Sequence, residues 1–146
     1  MGKLAQDVMT ANPACCTPET PIDQVARLMV QHDCGEIPVI DPAEQVIGVV
    51  TDRDIVCRIV AQGMNPVAHT AESCMSQPVV TVSADDTLDE VVSTMEHHQI
   101  RRVPVVDERG CCAGIIAQAD IAWSEASGNV ADMVREVSRE TGRESR

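Results

Sequence analysis

The sequence predicts a mixed α/β (α+β) fold in which a β-α-β-β-α unit occurs twice, the copies packed with pseudo-twofold symmetry. Three observations predict it. Residues 22–56 align with 88–122 at a constant offset of 66, and ten of the 35 pairs are identical: Asp23/Asp89, Val25/Val91, Met29/Met95, His32/His98, Pro38/Pro104, Val39/Val105, Asp41/Asp107, Gly48/Gly114, Asp54/Asp120 and Ile55/Ile121. Both copies run through helix-period and strand-period apolar patterns in the same order. Each copy, at about 60 residues, is too small for a lone core to stabilise, so the two are expected to pack face to face.

The elements follow in chain order. A short extended piece opens each copy, Ala14–Thr17 and Val79–Val82. A helix comes next. Thr87-Leu88-Asp89-Glu90 has the spacing of a capping box, and Thr20 precedes Pro21, a proline suited to the first helical position. Ile22, Val25, Ala26 and Met29 recur at i, i+3, i+4 and i+7, as do Leu88, Val91, Val92 and Met95, so both helices present one apolar face and end near His32 and His98. Two strands follow: Ile37–Ile40 and Ile47–Val50 in the first copy, Val103–Val106 and Ala113–Ala117 in the second, joined by turns at Asp41-Pro42 and 107–110. A second helix starts at Asp52 or Gln118. The organisation is a first repeat with its N-terminal segment over 1–62, a linker over 63–73, a second repeat over 74–126 and a C-terminal helical tail over 127–146. In that tail the apolar residues 130, 133, 134 and 137 fall at helical spacing.

Composition excludes several function classes. The 146 residues carry a formal net charge of −12, the wrong sign for nonspecific nucleic acid or an anionic membrane surface. Trp123 is the sole aromatic residue, so base-stacking platforms are excluded. No apolar run approaches the ~20 residues of a membrane span, and Met1–Asp7 has no signal-peptide plan. A soluble, cytoplasmic protein is expected. Seven cysteines, at 15, 16, 34, 57, 74, 111 and 112, include no C-x-x-C. They read as reduced thiols, mostly small hydrophobes within the fold, and no metal centre is expected.

Thr51-Asp52-Arg53-Asp54 at a helix start supports two readings. As a capping box, Thr51 caps the helix and Asp54 reaches back to its backbone N–H. As a ligand site, the helix N-terminus attracts phosphate, the Thr51 hydroxyl donates to it, and the Asp54 carboxylate accepts from a ribose. Gly48 would allow close approach. Spacing alone favours the cap. In the second copy Ala117 replaces the threonine while Asp120 remains, so a phosphate there loses one donor, worth roughly 1 kcal/mol. No nucleophile, base and oxyanion constellation is present, so catalysis is not expected.

Ile37-Pro38-Val39-Ile40-Asp41 with Gly48-Val49-Val50-Thr51-Asp52-Arg53-Asp54, answered by Arg101-Arg102-Val103-Pro104-Val105-Val106-Asp107 with Gly114-Ile115-Ile116-Ala117-Gln118-Ala119-Asp120, resembles a tandem pair of cystathionine-β-synthase (CBS) domains, a Bateman module. The resemblance covers about Asp7 to Glu125, leaving too little chain for a catalytic domain, so a stand-alone pair is expected. It implies a regulatory module that binds an adenine nucleotide (AMP, ADP or ATP, with NAD or S-adenosylmethionine as second choices) in the cleft between the repeats and modulates an unknown partner protein, with no cofactor required. It also implies two unequal sites. The better one comprises Thr51, Asp54, the Val80-Thr81-Val82 segment and the basic pair Arg101 and Arg102. The weaker one comprises Thr17, Gly35, Glu36, Ile37, Ala117 and Asp120. Helix faces left over after the repeats pair imply a homodimer. The alternative is a ligand-free dimeric interaction module in which the Thr/Asp elements are only caps, with thiol redox or metal sensing as a minor reading.

Overall fold

The computed structural model describes residues 3–125. The helix expected over 127–146 lies outside the described residues. Within them, the first repeat comprises α2 (Ile22–His32), β2 (Glu36–Ile40), β3 (Val46–Thr51) and α3 (Asp52–Ile55), which runs on as a π-helical turn over Val56–Val60. The second comprises β4 (Val82–Ser83), α5 (Leu88–His98), β5 (Arg102–Val106), β6 (Cys112–Ala117) and α6 (Gln118–Glu125). Before the repeats stand two matching short leaders: α1 (Ala5–Val8) with β1 (Thr10–Ala11), and α4 (Ala71–Cys74).

Local chemistry sets the helix ends. The Thr87 hydroxyl accepts from the Glu90 N–H at 3.2 Å and the Glu90 carboxylate accepts from the Thr87 N–H at 3.2 Å, so α5 starts with the expected capping box. In the first repeat Pro21 is the cap, and the Thr20 hydroxyl instead accepts from the Thr17 N–H at 3.0 Å, closing the turn that enters α2. Asp33 and Gln99, both in the left-handed region (φ 49° and 53°), end the two helices at equivalent points. Each repeat then folds its two strands antiparallel, β2 on β3 and β5 on β6, with the same irregularity at Val39/Ile40 and Val105/Val106. The inner strands are buried on both faces, which is why Ile37, Val39, Val103 and Val105 read as near-continuous apolar runs.

The leaders are exchanged between repeats. β1 pairs antiparallel with β6, Thr10 opposite Ile115, while Ser76 pairs with Val49 in the same sense. Ala5 and Met9 accordingly pack in the second repeat's core, and Ala71, Cys74 and Met75 in the first. The described segment 3–11, which precedes the first repeat in sequence, is in space part of the second. Two glycines make this possible. A Cβ at Gly48 would lie 2.7 Å from the Met75 sulfur, and one at Gly114 would lie 2.5 Å from the Met9 sulfur and 2.8 Å from the Thr10 carbonyl oxygen. The close approach at Gly48 is therefore made by a methionine of the other leader.

The pseudo-twofold axis is visible in the pairings. Leu4 pairs with Thr87 and Pro21 with Thr70, the same contact read from either repeat at the offset of 66. Gln45 pairs with Cys111, its own equivalent at that offset, so the axis passes between them. Among the described residues no helix is long and apolar enough to cross a membrane.

Candidate functional site

The two helix starts that carry the Thr/Asp motif have become chemically unlike. At the first, the Thr51 hydroxyl accepts from the Asp54 N–H at 3.0 Å and the Asp54 carboxylate accepts from the Thr51 N–H at 2.9 Å. The Ser76 hydroxyl donates to the same carboxylate at 3.1 Å, and Arg58, one turn along, lies 3.9 Å from it. Arg58 also donates to the carbonyls of Cys74 and Met75, at 3.2 and 3.1 Å, fastening α4 over this end. Asp54 is buried and its hydrogen-bonding capacity is largely used.

At the second start, Asp120 accepts from the Ala117 N–H at 2.8 Å, its carboxylate's one hydrogen bond among the described residues. The offset of 66 explains the difference. Ala117 has no hydroxyl where Thr51 has one, and Ser124 stands where Arg58 stands. Asp120 remains half-exposed and faces a cleft of about 490 Å³. The walls of the cleft are the run 10–14, the C-terminal end of α2 leading into Cys34-Gly35-Glu36, and Arg102, Ile115 and Ala117. That volume is in the range of small-molecule sites.

Arg102 and Glu36 set the charge of the cleft. The Arg102 guanidinium lies against Gly35, where a Cβ would come within 2.7 Å of both terminal nitrogens, so a side chain at 35 would push the guanidinium aside. It sits 3.8 Å from the Asp52 carboxylate. Glu36 is only 4% exposed. Burial pushes its carboxyl up to about 7; Arg102 pulls the other way, and Asp54 and Asp52 add to the rise. Asp33 also lines the cleft, so the carboxyl groups of Asp33, Glu36 and Asp120 outnumber its one arginine, Arg102.

The structure brings together Gly35, Glu36, Arg102, Ala117 and Asp120 from the sequence-predicted residues. Thr51 and Asp54 occupy the capped end described above. The basic pair divides: Arg101 leaves the cleft and lines a separate cavity of about 480 Å³ beside α5 and α6, with Glu96 and Gln118. Consecutive residues at a strand entrance face opposite ways, which the sequence pairing of the two arginines overlooked. Ile37 and Val82 are core residues, Val80 packs against the second core, and Thr81 stands between them half-buried. Thr17 bonds Thr20 outside the cleft lining. Sequence reasoning missed as walls the run 10–14, which arrives through the exchanged leader, and the end of α2, which comes from the first repeat's own helix. It also missed Arg58, whose i,i+4 spacing from Asp54 was the available signal.

A family model of the CBS domain matches residues 5–61 and 71–124. Hypoxic response protein 1 of Mycobacterium tuberculosis is 36% identical over 118 residues, covering 81% of this chain and 82% of that protein. The crystal structure of hypoxic response protein I with two coordinated zinc ions superposes with a TM-score of 0.76, at 35% identity over 82% of this chain and 97% of that one. An uncharacterised Methanopyrus kandleri protein is 38% identical over 126 residues, 86% of this chain, and this chain spans 62% of its length. The CBS domain pair of protein MJ0100, in complex with 5′-methylthioadenosine and S-adenosyl-L-methionine, superposes with a TM-score of 0.75 at 27% identity, over 84% of this chain and 94% of that one. Among the described residues no three His, Cys, Asp or Glu side chains are grouped to hold a metal ion. Two matched segments, a duplicated fold and a helix start at the cleft lead to one assignment: the chain belongs to the CBS domain family and carries two CBS domains in tandem.

Proposed function

We propose that this CBS pair is a regulatory module that holds an adenosine-containing ligand in the cleft at Asp120. The observation that carries the reading is the free hydrogen-bonding capacity of the Asp120 carboxylate inside a cleft of ligand size. Asp120 accepts from the ribose hydroxyls, Arg102 meets a phosphate or carboxylate, and the apolar Pro13, Ala14 and Ile115 face the base. The adenosyl ligands of the MJ0100 pair support the ligand class. AMP, ADP and ATP are the nucleotide candidates, and S-adenosylmethionine joins them because the cleft holds more acid than base. The Thr51/Asp54 end ranks second in this reading, since its carboxylate is already engaged by Thr51, Ser76 and Arg58.

Ligand binding would change the fit of the pair to a partner protein in the cytoplasm. Exposed Val30 on α2 and Val56 and Val60 beside α3 support a homodimer through these helices. The engaged cap at Thr51 favours one alternative, a dimeric interaction module that needs no ligand. Calorimetric titration with AMP, ATP, adenosine and S-adenosylmethionine separates the two. Asp120→Asn should weaken binding about ten-fold or more, the loss of a charge-assisted bond, and Asp54→Asn should leave it near wild type. The opposite ranking would move the site to Thr51/Asp54. No heat with any of the four would favour the interaction module.

A further inference from the structure

Two cysteines from different repeats meet beside the cleft. β1 runs antiparallel to β6, with Thr10 opposite Ile115, Ala11 opposite Gly114, and the Asn12 N–H donating to the Ala113 carbonyl at 3.3 Å. Continued in that register, the chain reaches Cys112 as it passes into 13–15. There Cys15 comes beside Cys112, 97 positions apart in sequence, close enough for each thiol to act on the other's ionisation. Cys15 also lies 3.5 Å from the Pro13 carbonyl, and Cys112 lies 3.8 Å from that of Gly114. Both thiols are half-buried and free.

We propose that Cys15 and Cys112 are a peroxide-sensitive dithiol whose disulfide ties the cleft-lining run 10–14 to β6. The chemistry balances. The Cys15 thiolate attacks one oxygen of hydrogen peroxide, the O–O bond breaks, and the departing hydroxide takes a proton to leave as water; Cys15 is now a sulfenic acid. The Cys112 sulfur attacks the Cys15 sulfur, the S–O bond breaks, and a second water leaves with the Cys112 proton. Two thiols lose two electrons and two protons, and one peroxide becomes two waters. A dithiol reductant reverses the change and is itself oxidised to a disulfide.

The surroundings assign the roles. The neighbouring Cys112 thiol lowers Cys15 below its ordinary range while Cys112 is raised, the direction that suits Cys15 to attack and Cys112 to resolve. Burial pushes Cys16 and Cys74 up, to about 12 and about 11, which keeps these neighbours protonated and inert. The pair is independent of any ligand in the cleft, but its disulfide would fix a wall of that cleft covalently.

The test uses the full chain, reduced, treated with one equivalent of hydrogen peroxide and quenched. Thiol titration in denaturant should fall from seven to five. A non-reducing peptide map should show the peptide holding Cys15 joined to that holding Cys112, and dithiothreitol should separate them. Cys15→Ser and Cys112→Ser should each abolish the link, Cys15→Ser also slowing peroxide consumption about ten-fold through loss of the reactive thiolate. Cys16→Ser, Cys111→Ser and Cys57→Ser should retain it. A link that survives Cys15→Ser, a link between chains through Cys57, or seven thiols intact under conditions that oxidise free glutathione would each overturn the proposal.

Discussion

Replacing Glu36 by glutamine should stabilise the protein at alkaline pH and leave it nearly unchanged in acid. Glu36 lies almost wholly buried at the start of β2, and its carboxyl, ordinarily titrating at 4.5, is pushed up to about 7. The fold therefore binds this proton more tightly than the unfolded chain does. The stability it contributes is complete below 4.5 and is lost as the pH rises through 7. Over that interval the loss is about 3 kcal/mol, at 1.36 kcal/mol for each pH unit, and about 2 kcal/mol of it falls between pH 5.5 and 8. Glutamine keeps the shape and never ionises, so the variant escapes the loss. Urea unfolding of both proteins at pH 5.5 and 8 measures it, because the difference between them cancels every other titrating group. The gap should widen by about 2 kcal/mol at the higher pH, a midpoint shift on the order of 1 M urea. A gap equal at both pH values would refute the reasoning: Glu36 would then be ionised in the fold, held by Arg102 despite its burial.

Gly114→Ala should cost about 2–3 kcal/mol and Gly48→Ala nearer 1 kcal/mol, read from chemical unfolding. At Gly114 the new methyl meets the Thr10 backbone 2.8 Å away as well as Met9, whereas at Gly48 the tight contact is the flexible end of Met75 and the nearest backbone oxygen is at 3.3 Å; equal costs would contradict this. Light scattering at micromolar concentration should return twice the chain mass, and Val30→Lys with Val56→Glu should return one chain mass, because Val30 is 82% and Val56 56% exposed on neighbouring helices; a wild-type monomer would refute the apolar-face argument.

The fold was legible in the sequence because its signals are local and occur twice. The capping box at Thr87 and Glu90, the i, i+3, i+4, i+7 stripes of α2 and α5, and the apolar runs of β2 and β5 each depend on residues a few positions apart. The offset of 66 doubles every such signal. The exchange of leaders was not legible, since nothing in Val8-Met9-Thr10 states which repeat it will cover. Only the matching of Met9 to Gly114, and of Met75 to Gly48, records it, and those pairs are 105 and 27 positions apart.

The candidate site was half legible for the same reason. Sequence spacing located both helix starts and both acids correctly as motif positions. It ranked them by the residue next in the motif, Thr51 against Ala117. What separates them in space is who reaches each carboxylate from elsewhere. Asp54 receives Ser76 from the exchanged leader and Arg58 from the next helical turn, while Asp120 receives neither, because Ser124 replaces the arginine and Thr10 stays paired to Ile115 without bonding it. A duplicated fold supplies two equivalent niches, and substitutions at a few matched positions make them unlike. Arginine at 58 seals one niche, and at the other Arg102, opposite the Glu36 that is its own counterpart at the offset of 66, leaves a charged opening. The complete motif thus marks the niche that the protein fills with its own side chains, and the incomplete one marks the niche with capacity to spare.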